Sequence, residues 1–488
     1  MLSSVSVLAA SALLAACGTT VPQSALPAGN ANLGTVSNGV GGVTQRTSSA
    51  GAVTGEPSGT VGTPSARLTA TSPQGSTGGA SLSAGSGPIA STVIKVGVTG
   101  VTNFGTAANA IGAGDLDPGD AKAQAQALID DINAHGGVAG RKLAMEFYAI
   151  DASDTHTSSQ RAQLICEDFT HDHKVQFVLH VNGLAPLLLP CLAKAGIPLI
   201  EADETPGDQQ LFATYRGYYY APSMLNMTRW PQSYVNGLYE QGFLPSSAKI
   251  GLVRADDPVT TRATNGSMKP ALAAHGLKLD QELVLATQDT ASWPNAIAGA
   301  VLKWRAAGVN RVLFLLGGGG VPLIFMQTAN SQGYRPLYGL TTYDAPGVVL
   351  ESAAPASQLT GSRVVGWEPV QDVDAQHDPG PVSSAERRCL SIMKAAGQSP
   401  SSRVAELSVL FYCDVFFFLD LALDAAPSAT AAGLLTAADG IGSRFHSPIT
   451  FGTSLGSGRY DGANRYRAGA YSGSCSCFSY VSGPRPLS

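Results

Sequence analysis

Apolar residues recur along the chain at two spacings, one typical of strands and one typical of helices. The run TVIKVGVTG (92–100) is an apolar strand. In the Ala- and Gln-rich stretch that follows, Leu128, Ile129 and Ile132 share one helical face, and Gly136–Gly137 fit a helix C-cap. RKLAMEFYAIDAS (141–153) then returns to strand alternation. The region therefore predicts a βαβ unit with a right-handed crossover.

The same succession continues far beyond this unit and predicts an α/β fold with two Rossmann-like blocks and parallel-sheet cores. Strands are expected at 93–100, 142–150, 175–181, 196–203, 248–256, 278–287, 310–318, 335–344 and 362–367. Helices are expected at 119–135, 156–170, 185–195, 229–242, 260–275, 294–307, 321–333, 384–396 and 404–425. The last of these is apolar nearly all round and should be buried. The C-terminal stretch is turn-rich β structure.

The first seventeen residues, MLSSVSVLAASALLAAC, contain an apolar core that is typical of a signal peptide and too short to span a bilayer. Small residues stand immediately before Cys17, which resembles a bacterial lipobox and implies a lipid-modified cysteine. No Lys or Arg precedes the apolar core, unlike in the usual pattern. The alternative is an ordinary secretory signal followed by a chance cysteine.

Residues 18–91 are Gly, Ser, Thr, Ala and Pro for the most part, with only Arg46, Glu56 and Arg67 charged. Such a composition cannot bury a core, so the segment is predicted to be a flexible linker. A chain of this kind reaches on the order of 50 Å. The alternative is that translation begins further along and that the segment is never made.

Net charge and motif spacing argue against several classes of function. The net charge of −5 gives no basic surface for nucleic acid. The glycine run of LLGGGGVP (315–322) fails the dinucleotide spacing at its last glycine. GTSLG (452–456) matches the nucleophile-elbow pattern but is followed by turn residues where a helix is required. We therefore expect no enzyme activity, no cofactor and no metal.

Seven cysteines leave an even number if Cys17 carries lipid, as expected for disulfides in an exported chain. Cys389 and Cys413 lie on consecutive predicted helices and would come level in an antiparallel pair. Cys475 and Cys477 are separated by one residue, so a bond between them needs a tight turn. A metal site there is disfavoured because the Cys-Ser-Cys segment contains no histidine.

Four segments, IKVGVTG, LIDDINAHGGVAGRKLAMEFYAIDAS, VQFVLHVNG and LAKAGIPLIEAD, resemble type I periplasmic binding proteins of the branched-chain amino acid branch. The resemblance implies two lobes joined by three crossings, with the ligand held between the carboxyl ends of two sheets. It also implies an ABC permease as the membrane partner. Cys166 and Cys191 fall where some members of the family carry a disulfide.

The resemblance also suggests how the chain divides. Lobe 1 is expected to comprise 92–220 and 345–450, and lobe 2 to comprise 221–344 and 451–488. The crossings are placed near 219–221, near 343–345 and within 450–468.

In lobe 1, three loops at strand ends should reach the ligand. The first carries Asn103 and Phe104. The second carries Asn182 and Gly183 where amino acid binding relatives have hydroxyls, which argues against an ordinary α-amino acid. The helix after it could still hold a carboxylate on its free N–H groups.

The third loop of lobe 1, EADETP (201–206), brings Glu204 and Thr205 to the same edge. Its acidic residues could hold a cationic group through charge-assisted hydrogen bonds. The alternative is a solvated turn.

Lobe 2 offers Asp256 and Asp257 after one strand and Gly318 and Gly319 after another, where glycines permit close backbone approach. Aromatic walls are expected from two tyrosines near the crossings, with core or hinge packing as the alternative. These tyrosines are Tyr220 and Tyr343.

The sequence thus predicts a monomeric solute-binding lipoprotein on the outer face of the cell membrane, held there by lipid alone. It should capture a small polar molecule, an amino acid or a related compound, and deliver it to an ABC importer. Two alternatives remain at this point, an extracellular sensor without transport and, less favoured, a hydrolase built around Ser454.

Overall fold

The computed structural model describes most of the chain after the predicted linker. The described residues are 93–103, 117–154, 156–181, 183–204, 206–287, 289, 292–317, 320–351 and 354–488. The expected signal peptide, Cys17 and linker lie outside them.

The first sheet has five parallel strands in the order β2-β1-β3-β4-β5. The strands are β1 (Val93–Thr102), β2 (Lys142–Asp151), β3 (Phe177–His180), β4 (Leu199–Glu201) and β5 (Tyr219–Tyr220). Val96 of β1 lies opposite Met145 of β2 on one side and Phe177 of β3 on the other. Because every strand is parallel, the carboxyl ends of β1, β3 and β4 meet at one edge of the sheet.

The opening crossover forms as the glycine pair predicts. Asp120 caps the first helix by accepting from the Ala123 N–H, and the helix ends where Gly136 and Gly137 adopt positive φ angles of 110° and 76°. A side chain at Gly137 would also collide with the Arg141 carbonyl oxygen. Only glycine permits both the left-handed conformation and this close approach, so the pair returns the chain to the sheet.

The second sheet runs in the order β7-β6-β8-β9-β10-β11-β12. Its strands are β6 (Ile250–Ala255), β7 (Leu279–Leu285), β8 (Arg311–Leu315), β9 (Leu337–Thr341), β10 (Arg363–Gly366), β11 (Arg465–Ser472) and β12 (Cys477–Tyr480), with β13 (Arg485–Pro486) beside β11. The first five of these are parallel to one another, and β11 and β12 add an antiparallel hairpin.

Helices flank both sheets. Those that follow strands of the first sheet are α1 (Ala121–Ala134), α2 (Ser158–Glu167), α3 (Ala185–Lys194) and α4 (Gln209–Thr214). Those that accompany the second sheet are α5 (Arg229–Glu240), α6 (Pro258–Ala263), α7 (Lys269–Ala274), α8 (Trp293–Ala307), α9 (Gly320–Ser331), α10 (Pro346–Glu351), α11 (Ala356–Leu359) and α12 (Pro369–Asp372). The last three are α13 (Ser384–Ala395), α14 (Arg403–Asp424) and α15 (Ala431–Ile441).

The fold class predicted from the sequence is confirmed, and the expected strands and longer helices lie within a few residues of their predicted bounds. The helix expected over 260–275 forms, with a wider π-helical turn at Thr264–Met268 between α6 and α7. Helix α15 was not predicted, since its Ala- and Gly-rich sequence lacks a strong apolar stripe.

The chain passes between the two sheets three times. It leaves the first sheet after β5, returns after α12 so that α14 packs against β3 and β4, and enters the second sheet again at β11. The crossing expected at 343–345 is wrong, because β10 still pairs with β9 of the second sheet. The lobe 1 segment therefore begins after Gly366 and not at residue 345.

Helix α14 is the central helix beneath the first sheet, and its buried positions occur on all sides. Its Tyr412 hydroxyl donates to the Thr99 carbonyl of β1 (3.0 Å), so the helix is fixed to the strand that opens the fold. None of the helices in the described part of the chain is long and apolar enough to cross a membrane.

The structure brings each expected cysteine pair into bonding contact. The Cα–Cα separations are 6.3 Å for Cys166 and Cys191, 5.8 Å for Cys389 and Cys413, and 5.2 Å for Cys475 and Cys477. All three separations fall within the range that disulfides require. Ser476 supplies the tight turn of the last pair through a left-handed φ of 53°.

Candidate functional site

A pocket opens at the carboxyl edge of the first sheet, between the ends of three strands and helix α14. It encloses about 520 Å³, part of which is open to solvent. Its lining residues come from β1, β3, the loop after β4, the start of α1 and one face of α14. They are Val101, Pro118, Ala121, Val181, Asp203, Glu204, Leu407, Ser408, Phe411 and Tyr412.

Two acidic residues of the loop after β4 lie in this pocket although they are nearly inaccessible to solvent. Asp203 is 4% exposed and Glu204 is 5% exposed. A third acid in the same segment, Glu201, is turned away and accepts from the Tyr219 hydroxyl. The Gly207 N–H donates in turn to that hydroxyl (2.6 Å), so the loop is tied to β5. Glu201 therefore holds the loop, whereas Asp203 and Glu204 face the pocket.

The second sheet contributes an acid to the same region. Glu368 follows β10, is fully buried, and accepts one hydrogen bond, from the Gln371 amide (2.8 Å). Burial raises its pKa well above the ordinary value, and the negative charges of Asp372, Glu204 and Asp414 raise it further, against the hydrogen bond from Gln371. The other oxygen of Glu368 has no hydrogen-bond partner. Carboxylates of both sheets thus come together.

Helix α14 supplies a further acid, Asp414, in the middle of an apolar run. One oxygen accepts from the Ser223 and Ser447 hydroxyls, and the other has no partner. Burial raises the pKa of Asp414 to about 7, despite the two hydroxyl donors that favour ionisation. No ion pair between described residues includes Glu368 or Asp414. No ion pair among the described residues therefore neutralises these two acids, and burial favours their protonated forms.

The loop after β3 is organised by a buried histidine. The Thr99 hydroxyl lies 2.8 Å from His180 Nδ1, and the Leu184 N–H donates to His180 Nε2 (3.0 Å). Burial lowers the pKa of His180 to about 3, so the ring is neutral and carries its proton on Nδ1. The N–H groups at the start of helix α3, which were expected to hold a carboxylate, are partly used within the protein. His180 occupies the Leu184 N–H, Leu187 bonds to Leu184, and Pro186 has no N–H.

Of the remaining lobe 1 residues expected at the ligand, the structure describes Asn103 and Gly183. Asn103 has a left-handed φ of 57°, and its amide donates to Asp151 (2.9 Å) rather than into the pocket. Gly183 has a φ of 75° in the turn that leads to α3. Both residues shape the strand-end loops, and neither lines the pocket.

The acids expected from the second sheet are used locally. Asp256 accepts from the Thr287 N–H (3.0 Å) and hydroxyl (2.8 Å). Asp257 caps helix α6 by accepting from the Thr260 N–H (2.9 Å). Neither carboxylate lines the pocket.

The two tyrosines expected as aromatic walls are fully buried. The Tyr220 ring packs edge-on against Tyr460 and in a tilted contact against Phe418. Tyr343 packs edge-on between Trp230 and Trp367, with ring centroids 4.8 Å apart on each side. Both tyrosines therefore occupy the packing role given as the alternative.

Several residues expected at the ligand lie outside the described part of the chain: Phe104, Asn182, Thr205, Gly318 and Gly319. Four of the pocket residues, in contrast, were not anticipated because they belong to a helix whose sequence reads as pure core. They are Leu407, Ser408, Phe411 and Tyr412. The available signal was Asp414, an acid in the otherwise apolar run LFYCDVFFF.

Comparisons with known proteins agree with this architecture. A possible leucine/isoleucine/valine-binding protein from Rhodopirellula baltica matches with a TM-score of 0.57 at 13% identity, over 82% of this chain and 98% of that one. An ABC transporter substrate-binding protein from Desulfitobacterium hafniense in complex with Leu matches with a TM-score of 0.53 at 15% identity, over 80% of this chain and 100% of that one. A fatty acid ABC transporter substrate-binding protein from Thermomonospora curvata matches with a TM-score of 0.55 at 15% identity, over 81% of this chain and 91% of that one.

At these identities the solved structures establish the fold alone. A search of curated protein sequences finds no match. The family model described as periplasmic binding protein covers residues 103–464, well over half of the sequence. The matched residues include β2 to β10 and α1 to α15, and the family is one of binding proteins rather than of enzymes. The chain therefore belongs to the periplasmic binding protein family.

Proposed function

We propose that this protein is an extracytoplasmic solute-binding lipoprotein that captures a small molecule with a cationic group and an apolar body. The two lobes, one on each sheet, close on this molecule and deliver it to an ABC importer. The single observation that carries the ligand assignment is the convergence of Glu204, Glu368 and Asp414 from the two sheets and α14.

The acids favour a cationic group because burying like charges together is costly unless something neutralises them. Each carboxyl group that ionises in a dry site loses hydration, and its neighbours add repulsion. An ammonium, guanidinium or amidinium group between the acids would offset both costs through charge-assisted hydrogen bonds. Glu368 and Asp414 each have an oxygen free to accept such a bond.

The other walls of the pocket favour an apolar body on the same ligand. Val101, Val181, Leu407 and Phe411 present hydrocarbon surface opposite the acidic loop. Burying apolar area against them contributes roughly 25 cal/mol per Å². An amphipathic cation such as an arylalkylamine or an arylamidine combines both properties.

A carboxylate is disfavoured at the position where amino acid binding relatives are expected to hold one. The backbone donor of Leu184 is already bonded to His180, and the residue after next is a proline. The hydroxyls expected in such relatives are absent from the loop as well. A zwitterionic amino acid would therefore leave its carboxylate poorly paired, which costs binding energy.

A contact between the two lobes supports the proposal that they close on the ligand. Arg262 of α6 bonds through Nε to Asp208, the N-cap residue of α4, at 2.6 Å. This ion pair joins a helix of the second sheet to one of the first. A ligand that binds better when such contacts are made shifts the equilibrium toward the closed form.

The anchor and the importer rest on sequence and family. The small residues before Cys17 supply a lipidation signal, and the long linker would let the domain reach a permease from the membrane surface. Two structurally similar proteins are named as ABC transporter substrate-binding proteins. Labelling cells with a radioactive fatty acid should mark the wild type, and Cys17→Ser should abolish the label.

The ligand assignment is tested by a thermal-shift screen that uses matched pairs of compounds. Each pair consists of an amine or amidine and a neutral molecule of the same shape. The cationic member should raise the melting temperature and the neutral member should not, because a ligand at 100 times its dissociation constant stabilises the fold by about 2.7 kcal/mol.

The screen is repeated with Glu368→Gln and with a matched control, Glu167→Gln, which changes an exposed glutamate on helix α2. Glu368→Gln should remove the shift caused by the cationic compounds, and Glu167→Gln should preserve it. Two results would exclude the proposed ligand class. One is stabilisation by the neutral members of the pairs, and the other is stabilisation by α-amino acids that Glu368→Gln leaves unchanged.

A further inference from the structure

We propose that Cys475, Cys477 and His377 form a thiophilic metal site when the two cysteines are reduced, with zinc as the cation that fits best. His377 lies about a hundred residues before the two cysteines, yet one ligand atom from each of the three residues lies within 4.8 Å of the other two. They lie away from the pocket beneath α14, so this site is separate from the proposed solute site.

The geometry results from two elements that meet at one end of the second sheet. Cys475 stands in the turn of the β11–β12 hairpin, and Cys477 opens β12, where it lies opposite Ser472. His377 belongs to the segment between α12 and α13, the second crossing. A hairpin turn and a crossing thus place two sulfurs and an imidazole together.

The imidazole of His377 is held by a neighbouring carboxylate. Its Nδ1 lies 2.8 Å and 3.0 Å from the two carboxylate oxygens of Asp374. The carboxylate therefore fixes the ring tautomer and leaves Nε2 as the nitrogen for a metal. A carboxylate behind a ligating histidine in this way is the usual outer shell of protein zinc sites.

The donor set selects the class of cation. Two thiolates and one imidazole suit Zn²⁺, with a fourth position left for water or another ligand. Zinc–sulfur bonds of about 2.3 Å require the sulfurs to move apart from their bonded contact. Backbones 5.2 Å apart at Cα allow this by side-chain rotation.

The site exists only in the dithiol form, so it is coupled to redox state. Reduction of the Cys475–Cys477 bond by a phosphine and one water yields two thiols and a phosphine oxide. Binding of Zn²⁺ by the two thiols then releases two protons, since thiolates are the ligands. Oxidation of the pair by a disulfide of another protein or a small molecule would expel the metal and yield two thiols on the oxidant.

This site is not visible in the sequence because its histidine, His377, lies about a hundred residues before the two cysteines. A metal site was disfavoured there for lack of a histidine within the Cys-Ser-Cys segment. The structure supplies the missing ligand from the crossing segment, so that argument against a metal does not hold.

The test uses the full chain, reduced with a phosphine and desalted without oxygen, and titrated with Zn²⁺ against a chromogenic zinc chelator. The wild type should bind one more equivalent of zinc than Cys475→Ser/Cys477→Ser. The oxidised wild type should lack that equivalent. With Co²⁺ in place of zinc, the reduced wild type should show thiolate-to-cobalt charge-transfer absorption, and the double variant should not.

Two histidine variants separate coordination from chance binding. His377→Gln should weaken zinc at least tenfold, whereas His171→Gln, a change at an exposed histidine elsewhere, should have no effect. Asp374→Asn should weaken zinc by about 10–100-fold, as outer-shell changes do. Thermal melting of each oxidised variant verifies that it is folded. Equal zinc binding by the double cysteine variant, or by His377→Gln, would overturn the assignment.

Discussion

Two loops of the molecule each carry a pair of acidic residues shortly after a strand, but the two pairs have different surroundings. Asp203–Glu204 follow β4 of the first sheet, and Asp256–Asp257 follow β6 of the second. The first pair is buried and lines the pocket. Of the second pair, Asp256 accepts from Thr287 and Asp257 caps α6. The position of an acidic pair after a strand therefore does not by itself show whether the pair lines a pocket or shapes the loop in which it lies.

The most demanding test of this difference compares the two loops in ligand binding. Glu204→Gln should weaken a cationic ligand by about 2 kcal/mol or more, which exceeds tenfold, because it removes one partner of a buried charge contact. Asp256→Asn should leave the dissociation constant unchanged. Isothermal titration calorimetry measures both. If Asp256→Asn raised the dissociation constant as much as Glu204→Gln, the proposed difference between the two loops would be contradicted.

The pH dependence of stability should have opposite signs for acids of the two kinds. Burial raises the pKa of Asp414 to about 7 from an ordinary value of 3.8, and it likewise raises that of Asp372 to about 7. Their protonated forms stabilise the fold fully below about pH 4, and this contribution is lost as the pH rises through 7. The unfolding free energy should therefore fall between pH 5 and 8, by on the order of 1–3 kcal/mol.

Asp256 should behave in the opposite way. Burial disfavours its ionisation, but hydrogen bonds from Thr287 outweigh burial and lower its pKa. Its contribution is present above about pH 4 and is lost on acidification. Denaturant titrations at several pH values test this: Asp414→Asn should flatten the slope between pH 5 and 8, whereas Asp256→Asn should not. An unchanged slope in Asp414→Asn would refute the assigned burial effect.

The local role of the second loop predicts a smaller loss of stability. Asp257→Ala should destabilise the fold by about 1 kcal/mol, because the Thr260 N–H loses its cap. Asp257→Asn should recover most of that loss, since asparagine caps as well as aspartate. The unfolding free energy from urea titration is the measurement. A loss of ligand affinity in Asp257→Ala at unchanged stability would instead move this residue into the ligand site.

The smallest expected effect concerns His180, whose protonation state should not change between pH 8 and pH 5. His180 should remain neutral from pH 8 to pH 5, because burial lowers its pKa to about 3. One imidazole signal in the NMR spectrum should stay fixed over this range and disappear in His180→Gln. Titration of that signal near pH 6.5 would mean that the loop after β3 is open to water and that its backbone donors can reach a ligand.

The fold could be predicted from the sequence because each local signal agreed with the others. The apolar alternation of β1, the glycine pair after α1 and the acidic end of β2 all point to one crossover, and the structure contains it. The second crossing was misplaced because β10 is only four residues long and follows two short helices. Nothing local distinguishes such a strand from one in the other sheet.

The site was predicted less completely because its parts come from distant segments. Glu204 could be singled out as an acid at a strand end, but Glu368 and Asp414 join it only through the tertiary fold. The apolar wall belongs to α14, whose sequence gives no difference between the side that faces the core and the side that faces the pocket. Burial and pairing, which decide function here, are properties of the folded chain.

A crystal structure of the protein with the strongest cationic compound from the screen tests the central claim most directly. The account predicts that the cationic nitrogen lies about 3 Å from a carboxylate oxygen of Glu204 and faces Glu368, with the apolar body against α14. A ligand whose cationic group points to solvent or toward Asp256, with Glu204 and Glu368 bonded to the protein alone, would contradict it.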